Sequence, residues 1–447
     1  MAARTDTSLT RRYAARPAQV PAGTPDGARG GIVSSHLRIG IFTDYYLPSM
    51  GGTEVAVRSH REMLESLGHE VFIITADDPQ RDRSDANIVS LPAVGAGPDF
   101  NRVAIPPRGT TASLRRLQLD VVHTHTPFTT GLLADMVARD QDVPIVHTVH
   151  TLVPEMMTYH PLSGLVLLPV MAGTYYPFLL RTGRARLASV KLPAGVRGLR
   201  GLAWRLMISS ANTATMVTTP SAHLDRRMRA YGLDRPNVVL PNALDTRAYR
   251  APQTLPHGLR IPPADFRIIS VGRMTPEKRP QEVVRAFARL RSDDSLQLVM
   301  VGAGPKLDEC KRLAQSLGVA DRVVFTGLQS PSTVAALLQS SDVFVIASKG
   351  FDNQPMVVLE AASAGLPIVY CDDALTEGLT PANALLADSD DADGLARAFT
   401  TLVDDRSLCK SMGRASLEES EAFDSAVVRH RLMAVYEEAR RLHREAR

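Results

Sequence analysis

The sequence predicts an α/β protein built from two doubly wound domains, each with a parallel sheet. Short apolar runs that end in glycine or a charged residue alternate with helical stretches along most of the chain. This pattern is typical of buried parallel strands joined by helices. The alternation starts near Leu37 and starts again near Phe266. Because 447 residues exceed the length that one hydrophobic core usually spans, two domains are expected.

The first domain is expected over residues 37–245, and it opens with a βαβ unit. Leu37–Thr43 is an apolar run, and a glycine-containing loop leads from it into a helical stretch from about Thr53 to Leu67. Val71–Thr75 supplies the next strand. Further short strands are predicted at residues 121–123, 145–147, 216–221 and 238–242.

Residues 246–265 are rich in proline and lack periodicity, so they are predicted to link the two domains. The second domain is expected over residues 266–424, where apolar strands again alternate with helices. The predicted strands are 266–271, 296–301, 323–325, 343–347 and 368–370. The strongly helical stretch 425–447 could pack back across the first domain.

The composition is that of an ordinary globular protein, with 44% apolar residues, 22% charged residues and a net charge of +4. This charge does not indicate a nucleic-acid partner. Cys310, Cys371 and Cys409 are far apart, so they form neither a disulfide framework nor a zinc-binding spacing, which favours the cytoplasm. Residues 1–36 lack an apolar segment and are expected to form a disordered tail.

The segment 161–207 departs from the alternating pattern. It begins with the apolar run Pro161–Leu180, which proline and glycine interrupt, so a transmembrane helix is not expected. No acidic residue occurs between Glu155 and Asp225, whereas arginine recurs. Such a surface suits contact with anionic lipid or with a phosphorylated acceptor. A poorly ordered insertion with a solvated basic face explains the same residues, and both interpretations stay open.

Two cations and two carboxylates follow strands of the second domain. Arg273 and Lys278 come after its first strand, and Asp352 and Glu360 flank the start of a later helix. Arginine binds phosphate through two parallel hydrogen bonds, and lysine adds a compact charge. Because carboxylates accept hydrogen bonds from hydroxyls, the set predicts a ligand that carries both phosphates and a sugar.

These residues belong to an ordered series of motifs along the chain. The series consists of Gly51-Gly52-Thr53-Glu54, then Arg273 and Lys278, then Asp352 and Glu360 with seven residues between them. It resembles the motifs of the family 4 retaining glycosyltransferases of the GT-B fold, and the resemblance covers nearly all of residues 37–440. It implies two facing Rossmann-like domains with an interdomain cleft. The first would bind a hydroxyl acceptor, and the second a nucleotide-diphosphate sugar.

The resemblance also implies a role for individual residues. Arg273 and Lys278 would neutralise the departing diphosphate without a metal ion, and Glu360 would bind the ribose. Asp352 would face the donor sugar, and His150 would lie near it on the acceptor side. The other donor-binding residues implied are Gly51, Gly52, Gly327, Asn353, Gln354, Met356 and Val357. No cofactor is expected beyond the sugar nucleotide, which is a co-substrate.

Two residues depart from the family pattern. Asp352 stands where a glutamate is usual, which draws the carboxylate back by roughly one bond length. Pro355 stands where a glycine is common, and it removes one backbone N–H donor. We therefore expect the choice of donor sugar to depend on this loop.

Within the family, the chain is similar to lipid glycosyltransferases of the diacylglycerol glucosyltransferase type. The likeness rests on residues 122–128, 131–133 and 147–151 and on Asn353-Gln354. It implies a lipid acceptor and a cytoplasmic protein that contacts the inner face of the membrane through 161–207. The acceptor-side residues implied are His123, His125, Thr126, His150 and Glu155.

Histidines near the predicted acceptor side raise the question of a metal ion. His123 and His125 would lie on the same side of a strand and could form a two-ligand pair. Neither a cysteine nor a carboxylate completes this pair in the sequence, so no metal is expected. Gly302-Ala303-Gly304 lacks the third glycine of a dinucleotide-binding motif, which argues against NAD.

Three other activities fit the same residues. The acceptor could be a small polar molecule or a natural product in place of a lipid. The same fold could support a nucleotide-sugar epimerase. The departures at Asp352 and Pro355 could also produce a catalytically weak protein that binds sugar nucleotides.

Overall fold

The described part of the chain forms two α/β units, which confirms the predicted fold class. The computed structural model describes residues 36–48, 51–95, 102–150, 152–159, 168–169, 172–173, 190–193, 195–291 and 295–447. The first unit contains the described residues up to Pro241 together with Arg429–Arg447, and the second unit is Asn242–Val428. Each unit has its own parallel sheet.

A seven-stranded parallel sheet lies at the centre of the first unit. The strands of this unit are β1 (Arg38–Thr43), β2 (Glu70–Ala76), β3 (Ile88–Leu91), β4 (Ala93–Gly95), β5 (Arg102–Ala104), β6 (Val121–Thr124), β7 (Ile145–Thr148), β8 (Met216–Thr219) and β9 (Asn237–Val239). The sheet has the order β3-β2-β1-β6-β7-β8-β9, and β4 and β5 form a separate antiparallel pair. The apolar strand residues are buried because helices cover the sheet.

Six helices precede Pro241 in the described part of the first unit. They are α1 (Gly52–Ser66), α2 (Thr110–Leu114), α3 (Thr129–Asp140), α4 (Val153–Tyr159), α5 (Gly198–Ala211) and α6 (Ala222–Ala230). Between β1 and β6 the direction of strand addition reverses, since β2 and β3 lie on one side and β6 to β9 on the other. Ligands of doubly wound folds bind at such a reversal, outside the carboxyl ends of the strands.

Helix α5 corrects part of the interpretation of 161–207 as a surface insertion. Trp204 and Met207 are buried in the hydrophobic core of the unit, in the same cluster as Val122 and Val217 of the sheet. The buried apolar residues of this helix therefore pack in the core of the unit, whereas Leu199 near its start is 55% exposed. Most of the stretch 161–189 lies outside the described residues.

A six-stranded parallel sheet lies at the centre of the second unit. Its strands are β10 (Phe266–Val271), β11 (Leu296–Val301), β12 (Val323–Gly327), β13 (Val343–Ile346), β14 (Ile368–Tyr370) and β15 (Ala384–Leu386). The order is β12-β11-β10-β13-β14-β15, so strand addition reverses between β10 and β13. The carboxyl ends of these two strands are therefore the expected ligand position in this unit.

Seven α-helices accompany the sheet in the described part of the second unit. They are α7 (Thr246–Arg250), α8 (Pro280–Ala288), α9 (Leu307–Ser316), α10 (Pro331–Gln339), α11 (Met356–Ser363), α12 (Ala392–Asp404) and α13 (Arg406–Ser420). The helices predicted from periodicity agree with α8 to α11 within about three residues at each end. Strand β15 and helices α12 and α13 were not predicted.

The segment predicted as a linker, 246–265, differs from the structure at its start. Helix α7 occupies residues 246–250, and Asp245 caps it by accepting a hydrogen bond from the backbone N–H of Arg247. The side chain of Tyr249 is buried in the second unit. Because α7 packs on this unit, the division between the units falls after Pro241 and not near 246.

The last helix, α14 (Ser425–Ala446), contributes residues 429–446 to the first unit. Leu432, Val435, Tyr436 and Ala439 are completely buried there. Residues 1–35 of the predicted tail lie outside the described residues. Among the helices that the structure describes, none combines the length and apolarity needed to cross a membrane.

Two glycines allow the loops after β10 and β11 to touch. Gly302 has a φ of 131°, and a Cβ atom there would lie 1.9 Å from the carbonyl oxygen of Gly272. Gly304 has a φ of 152°, and its Cβ atom would lie 2.5 Å from the carbonyl oxygen of Met274. Glycine is therefore required at both positions, because no other residue leaves room for this backbone contact.

Candidate active site

The charged residues of the second unit meet at the carboxyl ends of β10 and β13. Lys278 ends a 3₁₀ turn, Pro276–Lys278, that follows β10, and Asp352 lies in the loop that follows β13. Because the two strands are neighbours in the sheet, Lys278 Nζ lies 2.5 Å from Asp352 Oδ1. The Lys278 side chain is 21% exposed and that of Asp352 10% exposed. The structure thus forms a partly buried ion pair at the reversal of strand order.

Both oxygens of Asp352 have partners. Oδ1 accepts from Lys278, and Oδ2 accepts from the hydroxyl of Ser348. Lys278 Nζ also lies 5.8 Å from the centre of the Phe351 ring, within the range of a cation–π contact. An ammonium has three N–H donors, so this geometry can hold Lys278 in place while it binds an anion.

Arg273 is the most exposed of the charged residues, with 59% of its side chain accessible. Its Nη2 lies 3.4 Å from Oε1 of Glu277, which is buried. The hydroxyl of Thr275 donates to the same oxygen at 2.7 Å. Glu277 therefore orients the guanidinium from one side and leaves most of it accessible to a ligand. Sequence reasoning assigned no role to Glu277, although it lies within the Pro276-Glu277-Lys278 motif.

Glu360 lies in helix α11, and the hydroxyl of Tyr249 hydrogen-bonds to it. Desolvation by the surrounding protein raises the pKa of the Glu360 carboxyl to about 7, and the bond from Tyr249 opposes this shift. Near neutral pH, the Glu360 carboxyl is therefore ionised in some molecules and neutral in others. Tyr249 was missed because it lies in the segment predicted as a linker.

The loop before α11 is fixed by Gln354. Its Oε1 accepts from the backbone N–H of Asn242 at 2.7 Å, and the side chain is buried. Pro355 is the N-cap residue of α11, so Met356 and Val357 carry the first backbone N–H groups of the helix. Gln354 therefore holds the loop in place. Asn353 is the preceding residue of the same loop.

Gly327 ends β12 with a φ of 70°, in the left-handed region that favours glycine. Its carbonyl oxygen accepts from the backbone N–H of Gly302 at 2.9 Å. This bond joins the carboxyl ends of β11 and β12. Gly327 therefore shapes the end of β12, which β11 separates from β10 in the sheet.

In the first unit, five histidines come together at the carboxyl ends of β6 and β7. They are His60 of α1, His123 of β6, His125, His147 of β7 and His150. The rings of His123 and His125 lie 4.2 Å apart between centroids, which places these two on one side, as alternation along the strand predicts. The rings of His125 and His150 stack at 5.1 Å. Sequence reasoning missed His60, because it lies in a helix far from the other four.

Hydrogen bonds fix three of these rings. His123 Nδ1 lies 2.8 Å from the hydroxyl of Tyr436, and its Nε2 lies 2.7 Å from Thr148 Oγ1. His125 Nδ1 lies 2.9 Å from His150 Nε2. His60 Nδ1 and His125 Nε2 are buried and have no hydrogen-bond partner among the described residues.

Burial keeps the five imidazoles neutral. Desolvation lowers the pKa of His60 and of His147 to about 4. For His150 desolvation lowers the pKa to about 3, with smaller contributions from nearby His60 and His147. Desolvation, and then the neighbouring imidazoles, hold the pKa values of His123 and His125 well below the ordinary value. At neutral pH the five rings carry no charge, and the rings of His125 and His150 share a hydrogen bond.

Thr126, another predicted acceptor-side residue, is held by a buried carboxylate. The Thr126 hydroxyl donates to Asp44 Oδ2 at 2.8 Å, and Thr129 and Thr130 donate to the same carboxylate. Burial raises the pKa of Asp44, and the threonine hydroxyls oppose the shift. Asp44 is a further residue that sequence reasoning missed, and Thr126 helps to hold it.

Glu155 is buried and binds two arginines. Its Oε2 lies 2.6 Å from Arg200 Nη2, and its Oε1 accepts from Arg227. These bonds join α4 to α5 and α6. Arg200 lies in the basic segment 161–207, and it makes this ion pair while 44% of its side chain stays exposed. Both oxygens of Glu155 are thus engaged in joining these helices, and its place on the acceptor side stays a prediction.

The glycine pair lies at the start of α1, beside the strand reversal of the first unit. Gly51 is the N-cap residue, and a Cβ atom there would lie 2.6 Å from Glu54 Oε2. A Cβ atom on Gly52 would meet no atom within 4 Å. Gly51 thus leaves room for Glu54, whereas Gly52 faces open space at a helix N-terminus, which favours anions.

Comparison with protein families gives two matches, one in each half of the chain. Residues 50–248 match the family described as Glycosyltransferase Family 4, and residues 253–419 match the family described as Glycosyl transferases group 1. The two matched stretches contain Gly51, Gly52 and the five histidines in the first half and the charged strand-end residues in the second.

Several similar proteins have known names. An alpha-monoglucosyldiacylglycerol synthase of Streptococcus pneumoniae is 29% identical over 347 residues, which is 74% of this chain and 70% of that protein. A phosphatidyl-myo-inositol mannosyltransferase of Mycolicibacterium smegmatis is 26% identical over 90% of this chain and 94% of that protein. Anabaena HepE, solved with UDP and glucose, superposes with a TM-score of 0.64 at 16% identity, over 90% of this chain and 100% of HepE. This last likeness concerns the fold alone.

Proposed function

Because this chain belongs to the family 4 glycosyltransferases, we propose that it transfers a hexose from a nucleotide-diphosphate sugar to a lipid hydroxyl, with retention of configuration and without a metal ion or cofactor. The observation that supports this best is the ion pair of Lys278 and Asp352 at the carboxyl ends of adjacent strands. Arg273 lies in the loop of Lys278, and Glu360 lies in the helix that follows Asp352. Cations and carboxylates on these elements suit a ligand with phosphates and hydroxyls.

The donor half of the reaction needs the charge of the leaving diphosphate to be stabilised. Arg273 can bind a phosphate through two N–H groups, and Lys278 adds a point charge. Because two positioned cations supply what a divalent ion would supply, the reaction requires no metal at the diphosphate. The exposed guanidinium and the tethered ammonium provide these charges from one loop, the loop that follows β10.

The sugar is transferred on one face. The bond from C1 of the hexose to the diphosphate oxygen breaks, and the acceptor oxygen bonds to C1 on the same side. A phosphate oxygen of the leaving group takes the proton of the acceptor hydroxyl. This route uses no side-chain nucleophile, so the protein contributes positioning and charge stabilisation.

His150 would assist as a neutral hydrogen-bonding group on the acceptor side. A pKa of about 3 keeps it uncharged at neutral pH, so it cannot serve as a proton-donating cation. When His125 Nδ1 donates to His150 Nε2, His150 carries its own proton on Nδ1. That N–H would donate to a hydroxyl of the donor sugar.

The lipid acceptor is supported by the names of the relatives, two of which act on diacylglycerol and phosphatidylinositol lipids. We place the protein in the cytoplasm, peripherally at the inner face of the membrane, through the basic and apolar part of 161–207. Arg200 pairs with Glu155 and keeps 44% of its side chain exposed.

The lipid acceptor is tested with vesicles. Purified protein is incubated with radiolabelled UDP-glucose or GDP-mannose and with vesicles that contain diacylglycerol or phosphatidylinositol in an anionic lipid background. We expect label in the organic extract, and we expect the protein to float with anionic vesicles and not with neutral ones. Transfer only to water-soluble acceptors, with no flotation, would show that the acceptor is a small polar molecule.

The role of Glu360 predicts a pH dependence of donor binding. An ionised carboxylate accepts hydrogen bonds from both ribose hydroxyls, whereas the neutral acid keeps one O–H donor. Because the pKa of Glu360 is about 7, the donor KM should fall as the pH rises from about 6 to 8. Glu360→Gln should raise KM about tenfold, as loss of a charged hydrogen bond does, and should flatten this profile.

Measurement of donor KM across this pH range checks the prediction, with Glu309→Gln on the exposed face of α9 as the control. An unaltered pH profile in Glu360→Gln would assign the titration to another group.

A further inference from the structure

The histidine cluster of the first unit has a geometry that neither the donor site nor the acceptor role requires. Among the described residues, His60, His123 and His125 each bring one ring nitrogen within 4.8 Å of the others, and all three side chains are buried. Nitrogens bound to one tetrahedral Zn²⁺ at about 2.0–2.1 Å lie about 3.3 Å apart. Small ring rotations would close this difference.

Two of these nitrogens lack a partner. His60 Nδ1 and His125 Nε2 are both buried without a hydrogen bond. Buried polar atoms normally have a partner, so these two nitrogens are available to a ligand. When His125 donates its Nδ1 proton to His150, its Nε2 carries a bare lone pair. Metal-bound histidines commonly donate their second nitrogen to a neighbour in this way.

For His123 to bind an ion, one of its two ring nitrogens must give up its hydrogen bond. Both of its nitrogens have partners, Tyr436 and Thr148. Thr148 Oγ1 also lies 2.5 Å from the hydroxyl of Thr218, so it keeps a partner when His123 turns away. Tyr436 then stays bonded to the other ring nitrogen and holds the ring.

The donor set indicates which class of ion fits. Imidazole suits zinc and its neighbours among the transition metals, whereas magnesium and calcium require oxygen ligands. Three protein nitrogens leave a fourth tetrahedral position for water.

We propose that His60, His123 and His125 bind a Zn²⁺-class ion that joins α1 to the carboxyl end of β6. All three ligands belong to the first unit, whereas Arg273 and Lys278, which are proposed to balance the diphosphate, belong to the second. The binding of this ion does not depend on the proposed transfer reaction.

The test uses the full-length protein, stripped with a chelator and then freed of it. Zn²⁺ is titrated in competition with a chromophoric chelator, and Co²⁺ serves as a spectroscopic probe. We expect one ion per chain, visible absorption of four-coordinate Co²⁺, and a rise in Tm on addition of Zn²⁺, because a ligand of the folded state stabilises it.

The variants His60→Gln and His125→Gln should weaken binding at least tenfold and abolish the rise in Tm. The matched control is His147→Gln, which alters a histidine of the same cluster that is equally buried but outside the three, and it should keep the ion. Tyr436→Phe should weaken binding by roughly 10–100-fold, as loss of a supporting hydrogen bond does.

Absence of stoichiometric binding by the folded wild-type protein would overturn the proposal. So would binding that survives in both His60→Gln and His125→Gln. If these variants do not fold, the stoichiometry and the Co²⁺ spectrum of the wild-type protein decide the question.

Discussion

Lys278→Ala and Arg273→Ala are each expected to lower kcat by about 10²–10³-fold, the scale of losing one preorganised donor to a developing charge. Both side chains are proposed to stabilise the leaving diphosphate, and that charge is greatest in the transition state. Lys278→Ala also removes the partner of Asp352, which is 10% exposed, so this variant should lose some stability. Nucleotide release in the presence of acceptor measures the turnover.

The chain offers a matched control for this pair. Lys306 lies in the same unit, is 30% exposed and forms an ion pair of 2.7 Å with Glu309. Lys306→Ala should leave kcat within about twofold of the wild-type value, because an exposed ion pair contributes little. Arg273→Lys separates charge from geometry, since lysine keeps the charge but loses the two parallel bonds. Full turnover in both alanine variants would remove the diphosphate role.

Acidification from pH 6.5 to pH 4 is expected to destabilise the first unit strongly in chelated protein. The folded-state pKa values of His60 and His147 are about 4, below the ordinary value of 6.5. In this window the unfolded chain binds protons that the folded chain excludes, so the free energy of unfolding falls as the pH falls. Each imidazole contributes on the order of 3 kcal/mol, which is present above pH 6.5 and lost as the pH approaches 4.

Trp204 gives a probe for this loss, because it is the single tryptophan of the chain and is buried in the first unit. Urea unfolding followed by its fluorescence should show a midpoint that falls steeply below pH 6.5. His60→Gln should reduce the slope, whereas His257→Gln, which alters an exposed residue of the second unit, should not. A midpoint that is constant from pH 6.5 to pH 4 would contradict neutral burial of these rings.

The strand-end residues could be predicted from the sequence for a geometric reason. Arg273, Lys278 and Asp352 each follow an apolar run, and the carboxyl ends of parallel strands meet at one edge of the sheet. Neighbouring strands in the sheet, β10 and β13, then bring Lys278 onto Asp352. Local pattern therefore sufficed for these residues, although their roles stay proposals.

The partners of these residues could not be predicted, because they are distant in sequence. Tyr249 reaches Glu360 from a segment whose composition reads as a linker. The backbone N–H of Asn242 fixes Gln354 over 112 residues. Such contacts depend on how whole elements pack, and neither periodicity nor spacing encodes them.

The histidine cluster illustrates the same limit. Alternation along β6 predicts that His123 and His125 share a side, but His60 enters from α1 and Tyr436 lies 313 residues from His123. Helix α5 is another example, because the structure buries Trp204 and pairs Arg200 with Glu155, and the local composition of the segment encodes neither contact.

The C-terminal helix has a consequence for how this protein is made. Leu432, Val435 and Tyr436 fill the interior of the first unit, yet the ribosome synthesises them after the entire second unit. Domains usually fold in order as they emerge, but here the amino-terminal one lacks part of its interior until translation is nearly complete. The second unit can therefore finish folding first. Until the C-terminal helix is made, the apolar residues of the first unit that pack against it stay exposed to solvent.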